Sequence, residues 1–320
     1  MSVMVSAQSA PEGAKVDPLS LGDHTYDTDE IKGLWYRVRG VVGGPVVVVT
    51  SVGWGLSGGY VWNSLNKLED THLCVYSVPR GNGRSGRPTD DTRMSTAIMS
   101  SDLDLLRQHL GLEKIPALIG HSNGSCLALG YAEQFPDRLG KVVIIDSQIM
   151  GDKEWSQLNG ENFRRYLNER KDMPEYADAV AAITKLGAKN GGDTDEEFLE
   201  LLTTAIPLYF TDTTKAHLLA ESMADPDFDG VPLSLWAYQK QGAQDDSPNR
   251  PNQVAEATKV KADVLVVHGD DDFICPLVWA QRIADILPSA ELAVFETCGH
   301  CPWLEQPEKF WSLLRKFLAK

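Results

Sequence analysis

No stretch of the 320 residues approaches the roughly 20 consecutive apolar positions that a helix needs to cross a bilayer. Basic charge is scarce: 30 Lys and Arg stand against 45 Asp and Glu, a formal net charge of -15. Attraction to phosphate backbones or to an anionic membrane would have the wrong sign, so neither nucleic acid nor membrane is expected as a partner. The five cysteines, Cys74, Cys126, Cys275, Cys298 and Cys301, are odd in number, and three lie in or beside apolar segments. Reduced thiols suit this better than a disulfide framework. The opening MSVMVSAQSA has neither a basic n-region nor a sustained apolar h-region, and a cytoplasmic protein is expected.

What is present is alternation. GLWYRVRG, PVVVVTS and THLCVYSV read as strands, the second a β-branched run of the kind buried on both faces. STAIMSSDLDLLRQHLG has helical spacing and stops at Gly111; PALIG and KVVIID flank the helical GSCLALGYAEQF. The pattern resumes with DVLVVHGD, a helix over PLVWAQRIADIL, the strand ELAVFE and a last helix from Pro307. A mostly parallel central sheet flanked by helices is expected, in the α/β class. Between them, ENFRRYLNERKDM, EYADAVAAITKLGAKN, DEEFLELLTTAIPLYF and TKAHLLAESMA look like amphipathic helices in acidic surroundings. The expected plan is a flexible tail over 1–20, a core over 21–149 and 259–320, and an inserted helical cap over 150–258.

The chemistry gathers at strand ends. Gly120-His121-Ser122-Asn123-Gly124 lies between a strand and a helix, where flanking glycines let the chain turn sharply and expose the Ser122 hydroxyl at a helix N-terminus. A serine hydroxyl needs a base, and the base needs an oriented carboxylate. Asp270, Asp271 and Asp272 follow one later strand and His300 follows the next. The order Ser, Asp, His is that of the nucleophile-elbow arrangement. Asp146, at the end of VVIID, is the rival acid.

With SVGWGLSGGYVW, RGNGRSGRP, GHSNG, GDDD and GHCPWLEQPEKF, the chain resembles the α/β-hydrolase-fold superfamily over nearly all of its core. The resemblance implies Asp272 as acid, His300 as base and Ser122 as nucleophile. It implies an oxyanion hole from the Asn123 amide and a second amide at Trp54 or Gly53. Val52 stands where the family usually has histidine, and Val78 where aspartate is common. The expected function is a cofactor-independent serine hydrolase acting on a small ester or lactone. The alternatives are a proline iminopeptidase-like exopeptidase, or an acyltransferase, cyclase or lyase on the same fold. Gly53, His121, Tyr209 and Trp236 are candidate substrate contacts, with Tyr238 and Phe210 as further aromatics of the cap; His121 and His268 have packing as their default role.

Cys298-Gly299-His300-Cys301 also has the CxxC spacing of a dithiol redox site. That chemistry needs a thioredoxin-like context, in which the first cysteine starts a long helix and further strands complete the sheet. Only one helix remains after Cys301, so His300 is read as the functional member. No second histidine or cysteine pair stands at ligand spacing, and no metal is expected.

Overall fold

A computed structural model describes residues 17–188, 190–223, 233–246, 252–287 and 289–320. The expected tail over 1–20 falls mostly outside the described residues. The strands are β1 (Gly22–Tyr26), β2 (Leu34–Gly40), β3 (Val46–Thr50), β4 (Leu73–Ser77), β5 (Ile115–His121), β6 (Leu139–Ile145), β7 (Asp263–Gly269) and β8 (Ala290–Phe295). They form one sheet in the order β1-β2-β4-β3-β5-β6-β7-β8. β2 pairs antiparallel with both β1 and β4, and the remaining pairings are parallel, with Val48 beside Leu118, Leu118 beside Val142 and Val142 beside Val264. The period-two alternation divides the apolar residues between two faces. Val49, Ile119, Val143 and Val267 pack with Phe310, Leu314 and Phe317 on one side. Val48, Leu118, Val142 and Val266 pack with Leu103, Leu129 and Ile283 on the other.

The helices of the first half are α1 (Gly59–Ser64), α2 (Thr96–His109) and α3 (Asn123–Gln134). Between β6 and β7 lie α4 (Trp155–Arg170), α5 (Ala177–Ala188), α6 (Asp195–Ala205), α7 (Ala216–Met223), α8 (Leu235–Asp245) and α9 (Gln253–Glu256). The chain ends with α10 (Val278–Ile286), α11 (Pro302–Glu305) and α12 (Pro307–Leu318). The insertion has its own apolar core, in which Tyr166, Tyr176, Phe198, Leu201 and Leu208 close over Phe273 of the β7–α10 loop.

Several elements differ from the sequence reading, among them the one-turn helices α9 and α11, the latter starting directly after Cys301 where only the helix from Pro307 is expected. β1 was not expected, because GDHTY alternates too briefly to signal a strand, yet it pairs along its full length with β2. α1 follows a glycine-rich loop and is only six residues long. α8 escapes a periodicity search because LWAYQKQGAQD is polar over most of its length. Its start is marked by Ser234, whose hydroxyl caps the Ala237 N–H.

Strand order turns back between β3 and β5, since β4 lies on one side of β3 and β5 on the other. Ligands of open α/β sheets bind at such a reversal, outside the carboxyl ends of the strands. The loop 51–58 leaves β3 there, and Ser122 leaves β5 beside it.

Candidate active site

Ser122 has φ 54° and ψ -127°, a left-handed turn that side chains rarely adopt. The glycines around it are sterically dictated. A Cβ at Gly120 would lie 2.1 Å from the Gly124 carbonyl oxygen, and one at Gly124 would lie 2.9 Å from that of Thr50. The strain is held in place by the Ser125 hydroxyl, which donates to the Gly120 carbonyl at 2.7 Å and accepts from the Ile145 N–H at 2.9 Å. Ser122 therefore sits half-buried at the start of α3.

Acid and base meet across two interlocked loops. His300 Nδ1 donates to Asp272 Oδ2 at 2.5 Å, and both residues are buried. The other Asp272 oxygen accepts from the Ile274 and Cys275 amides at 2.9 and 3.0 Å. With Nδ1 committed as donor, Nε2 is the basic nitrogen. The loops are joined through the backbone: Asp270 N–H donates to Phe295 and Asp271 N–H to Cys298. A Cβ at Gly269 would lie 2.1 Å from the Gly299 oxygen, and one at Gly299 only 2.4 Å from the Tyr209 oxygen. The closest approach of these loops thus depends on two glycines.

The aspartate triplet is divided by partner. Asp270 accepts from the Cys298 N–H, Asp271 pairs with Arg170 of α4, and Asp272 alone reaches His300. Asp146, the rival acid, is fully buried with φ 45°, accepts from the Gly269 N–H at 2.8 Å and leaves Oδ2 without a partner. Burial, with the neighbouring Asp272, drives its carboxyl well above the usual range. His268 donates Nε2–H to the Cys275 carbonyl at 2.7 Å, while its Nδ1 makes no hydrogen bond and lies 3.9 Å from Asp146 Oδ1. It is a half-satisfied core histidine.

His121 is locked by two bonds. Nε2 lies 2.9 Å from the His300 carbonyl and Nδ1 lies 3.0 Å from the Tyr60 hydroxyl. Burial, with His300 beside it, lowers its pKa well below the ordinary value. The neutral ring thus donates from Nε2 and accepts at Nδ1, bracing the base loop.

The cysteines of CGHC are buried free thiols, and burial pushes both far up, the reverse of a reactive dithiol. Glu305 organises that loop, accepting from the Gly299, Thr211 and Asp212 amides at 2.6, 3.0 and 3.1 Å. Two donor trios could be considered for a metal, Asp272 with Cys275 and His300, and Asp146 with His268 and Asp272. Asp272 is common to both and already serves three donors, while burial raises the Cys275 thiol. Neither trio is a ready ligand set.

A cavity of about 570 Å³ opens over Ser122, with Asn123, His121, Tyr209 and His300 in its wall. Apolar side chains of the insertion, among them Phe163, Leu186, Phe198 and Leu202, form most of the rest. Two expected contacts lie off it. Trp236 points from the opposite side of α8, stacked under the Arg87 guanidinium 4.2 Å away, and Tyr238 takes the lining place. Gly53 is covered by Gln241, whose Oε1 lies 2.7 Å from where a Cβ would be. Phe210 is wholly buried in the core.

The oxyanion candidates fare differently. The Asn123 amide is the first of α3, and first-turn amides lack an intrahelical acceptor. The Trp54 amide donates at 2.7 Å to Gln241 Oε1. Gln241, Thr96 and Asp245 went unnoticed in the sequence, because a glutamine in a polar helix carries no motif.

A family model described as alpha/beta hydrolase fold matches residues 45–307. The chain belongs to the alpha/beta hydrolase fold family. Proline iminopeptidase of Clostridium botulinum is 27% identical over 296 residues, covering 89% of this chain and 94% of that protein. Among solved structures, proline iminopeptidase of Mycobacterium smegmatis superposes with TM-score 0.65 at 19% identity, covering 93% of this chain and 98% of that one. The enol-lactonase of Burkholderia xenovorans gives TM-score 0.63 at 18% identity, covering 90% and 97%. These structural likenesses speak for the fold. No helix among the described residues is long and apolar enough to cross a membrane.

Proposed function

We propose that the chain is a serine hydrolase of small apolar carboxylic esters or lactones, with Ser122, His300 and Asp272 as its triad and the insertion as its cap. The reading rests on one observation: a serine in a strained strand-to-helix turn shares a cavity wall with a histidine whose far nitrogen is fixed by a buried aspartate.

His300 Nε2 takes the Ser122 proton as Oγ attacks the carbonyl carbon, and Asp272 stabilises the imidazolium that forms. The negative oxygen is met by the Asn123 N–H at the positive end of α3 and by a second amide from the loop after β3. His300 then returns the proton to the leaving alkoxide, giving an acyl-enzyme. Water, deprotonated by the same nitrogen, releases the acid. The apolar walls favour an uncharged acyl group and exclude polymers.

A second reading is exopeptidase chemistry, favoured by the likeness to proline iminopeptidases and by Asp245 and Asp246 in the cavity wall. Asp245 is already bonded to Thr96 twice, at 2.8 and 2.6 Å, which leaves it poorly placed for an ammonium group. A fluorophosphonate probe with peptide mapping, run beside p-nitrophenyl acyl esters and aminoacyl-p-nitroanilides, tests both. The expected result is labelling at Ser122, ester turnover and loss of both in Ser122→Ala. Faster arylamide turnover favours the peptidase, and absence of label on folded protein removes Ser122 as nucleophile.

A further inference from the structure

Helix α8 turns one face toward the loop after β3. Tyr238 meets the Trp54 ring edge-on with centroids 5.4 Å apart, and a Cβ at Gly242 would lie 3.4 Å from that ring. Gln241, between them and wholly buried, accepts from the Trp54 N–H at 2.7 Å. Its amide cannot be flipped without loss, because Nε2 faces two acceptors: Thr96 Oγ1 at 3.0 Å and Asp245 Oδ2 at 3.5 Å. Thr96 in turn spends its hydroxyl proton on Asp245 Oδ2 at 2.6 Å and its N–H on Asp245 Oδ1.

The alternative donor, Gly53, is poorly aimed. The Val52 carbonyl accepts from Asn123 Nδ2 at 2.7 Å, and in a trans peptide the following N–H points the opposite way. Trp54 is therefore the amide on this loop that a substrate oxygen would use, and a carboxamide oxygen of the chain already sits on it.

We infer that Gln241 determines specificity: its side-chain carbonyl substitutes for the substrate carbonyl at the Trp54 N–H, and only substrates that bury enough apolar acyl surface displace it. The inference rests on the proposed hydrolase reading. One oxyanion donor is worth about 10²–10³ in kcat. Each buried methylene contributes about fourfold in binding. The four methylenes separating an acetate from a hexanoate thus supply on the order of 10²-fold, comparable to what the displacement must recover. Acyl length is converted into rate through an induced rearrangement of α8 or of the Gln241 rotamer.

The test compares p-nitrophenyl acetate and hexanoate in wild type, Gln241→Met and Gln241→Glu. Methionine keeps the length and removes the acceptor, whereas glutamate keeps a carbonyl-type acceptor. In wild type, hexanoate is expected to exceed acetate by about 10² in kcat/KM. Gln241→Met is expected to raise kcat for acetate about 10²-fold with KM little changed and hexanoate within threefold, and Gln241→Glu to retain the wild-type discrimination. A Gln241→Met protein that melts normally but loses both esters equally, or keeps the wild-type ratio, overturns the inference. A readout on wild type covers the case of a variant that does not fold: the ¹⁵N-tryptophan amide assigned to Trp54 is expected to shift on reaction with a hexyl fluorophosphonate and stay put with a methyl one. An amide unmoved by both refutes the displacement. Failure of both probes to label Ser122 removes the hydrolase reading and this inference together, whereas labelling with an unchanged ester ratio removes only this inference.

Discussion

The carboxyl edge of the sheet and the helical insertion both hold the candidate triad, by different means. At the sheet edge, position is enforced by the absence of side chains: Gly120, Gly124, Gly269 and Gly299 each stand where a Cβ would press on backbone. In the insertion, it is enforced by hydrogen bonds. Asn162 of α4 donates to the Asp272 and Phe273 carbonyls at 2.9 and 3.0 Å, and the Tyr209 carbonyl accepts from the His300 N–H at 2.8 Å. The acid loop and the base loop are thus each pinned from above by the element that also walls the cavity. A fixed floor and a bonded roof imply that substrate selection and triad alignment are coupled through the roof.

The largest expected effect separates the two buried carboxylates of the floor. Asp272→Asn leaves His300 without its anionic partner and is expected to lower kcat by about 10⁴-fold on hexanoate esters. Asp146→Asn preserves the acceptor for the Gly269 N–H and is expected to stay within about threefold. Equal losses in steady-state kinetics would contradict the assignment of Asp272 as the acid.

Next comes Gly299→Ala. The new Cβ meets the Tyr209 oxygen at 2.4 Å, so the His300 loop must retreat and the tie between floor and roof is strained. A loss of about 10²-fold in kcat is expected, since small displacements of a catalytic group have effects of that order. Retained kcat with only a lowered Tm would show that the loop adapts without moving the imidazole.

A smaller effect is expected from the roof. Asn162→Ala removes both bonds to the acid loop while leaving Asp272 its own donors from Ile274 and Cys275. About 1 kcal/mol of stability and about tenfold in kcat are expected to go. A change in acyl-chain preference larger than the change in kcat would mean that α4 acts on the cavity more than on the triad.

The same contrast explains what was legible in the sequence. Glycine pairs around a serine, a carboxylate at a strand end and a histidine after the next strand are local patterns with one steric meaning; they carried the alpha/beta hydrolase fold, while the alternation of strand and helix patterns carried the parallel sheet. The contacts of the roof are with backbone N–H and carbonyl groups at sequence separations of 91 residues or more, where Tyr209, Asn162 and Gln241 look like any residues of polar or amphipathic helices. Trp236 stands out by its type, but α8 lines the cavity with Tyr238 and meets the Trp54 amide with the buried Gln241. The choice needed the rotation of a helix whose apolar stripe is too weak to set it.

The smallest effects concern two buried carboxyls, one in each region. Glu133 of α3 has an oxygen with no partner, and burial, reinforced by Glu256, pushes it up to about 9. Asp245 of α8 is also raised by burial, but the Thr96 donors hold it to about 6. In each case the folded state binds the proton more tightly than the unfolded chain, so stability falls as pH rises between the two values and is level beyond them. The windows are 4.5 to about 9 for Glu133 and 3.8 to about 6 for Asp245. Glu133→Gln is therefore expected to raise Tm at pH 9 relative to wild type by on the order of 5 °C, with the gap closing toward pH 4.5. Asp245→Asn is expected to change the slope only below pH 6. Scanning calorimetry across pH 4 to 9 reads both, and a Glu133→Gln curve parallel to wild type would mean that the Glu133 carboxyl is ionised in the fold, with a counter-charge satisfying it.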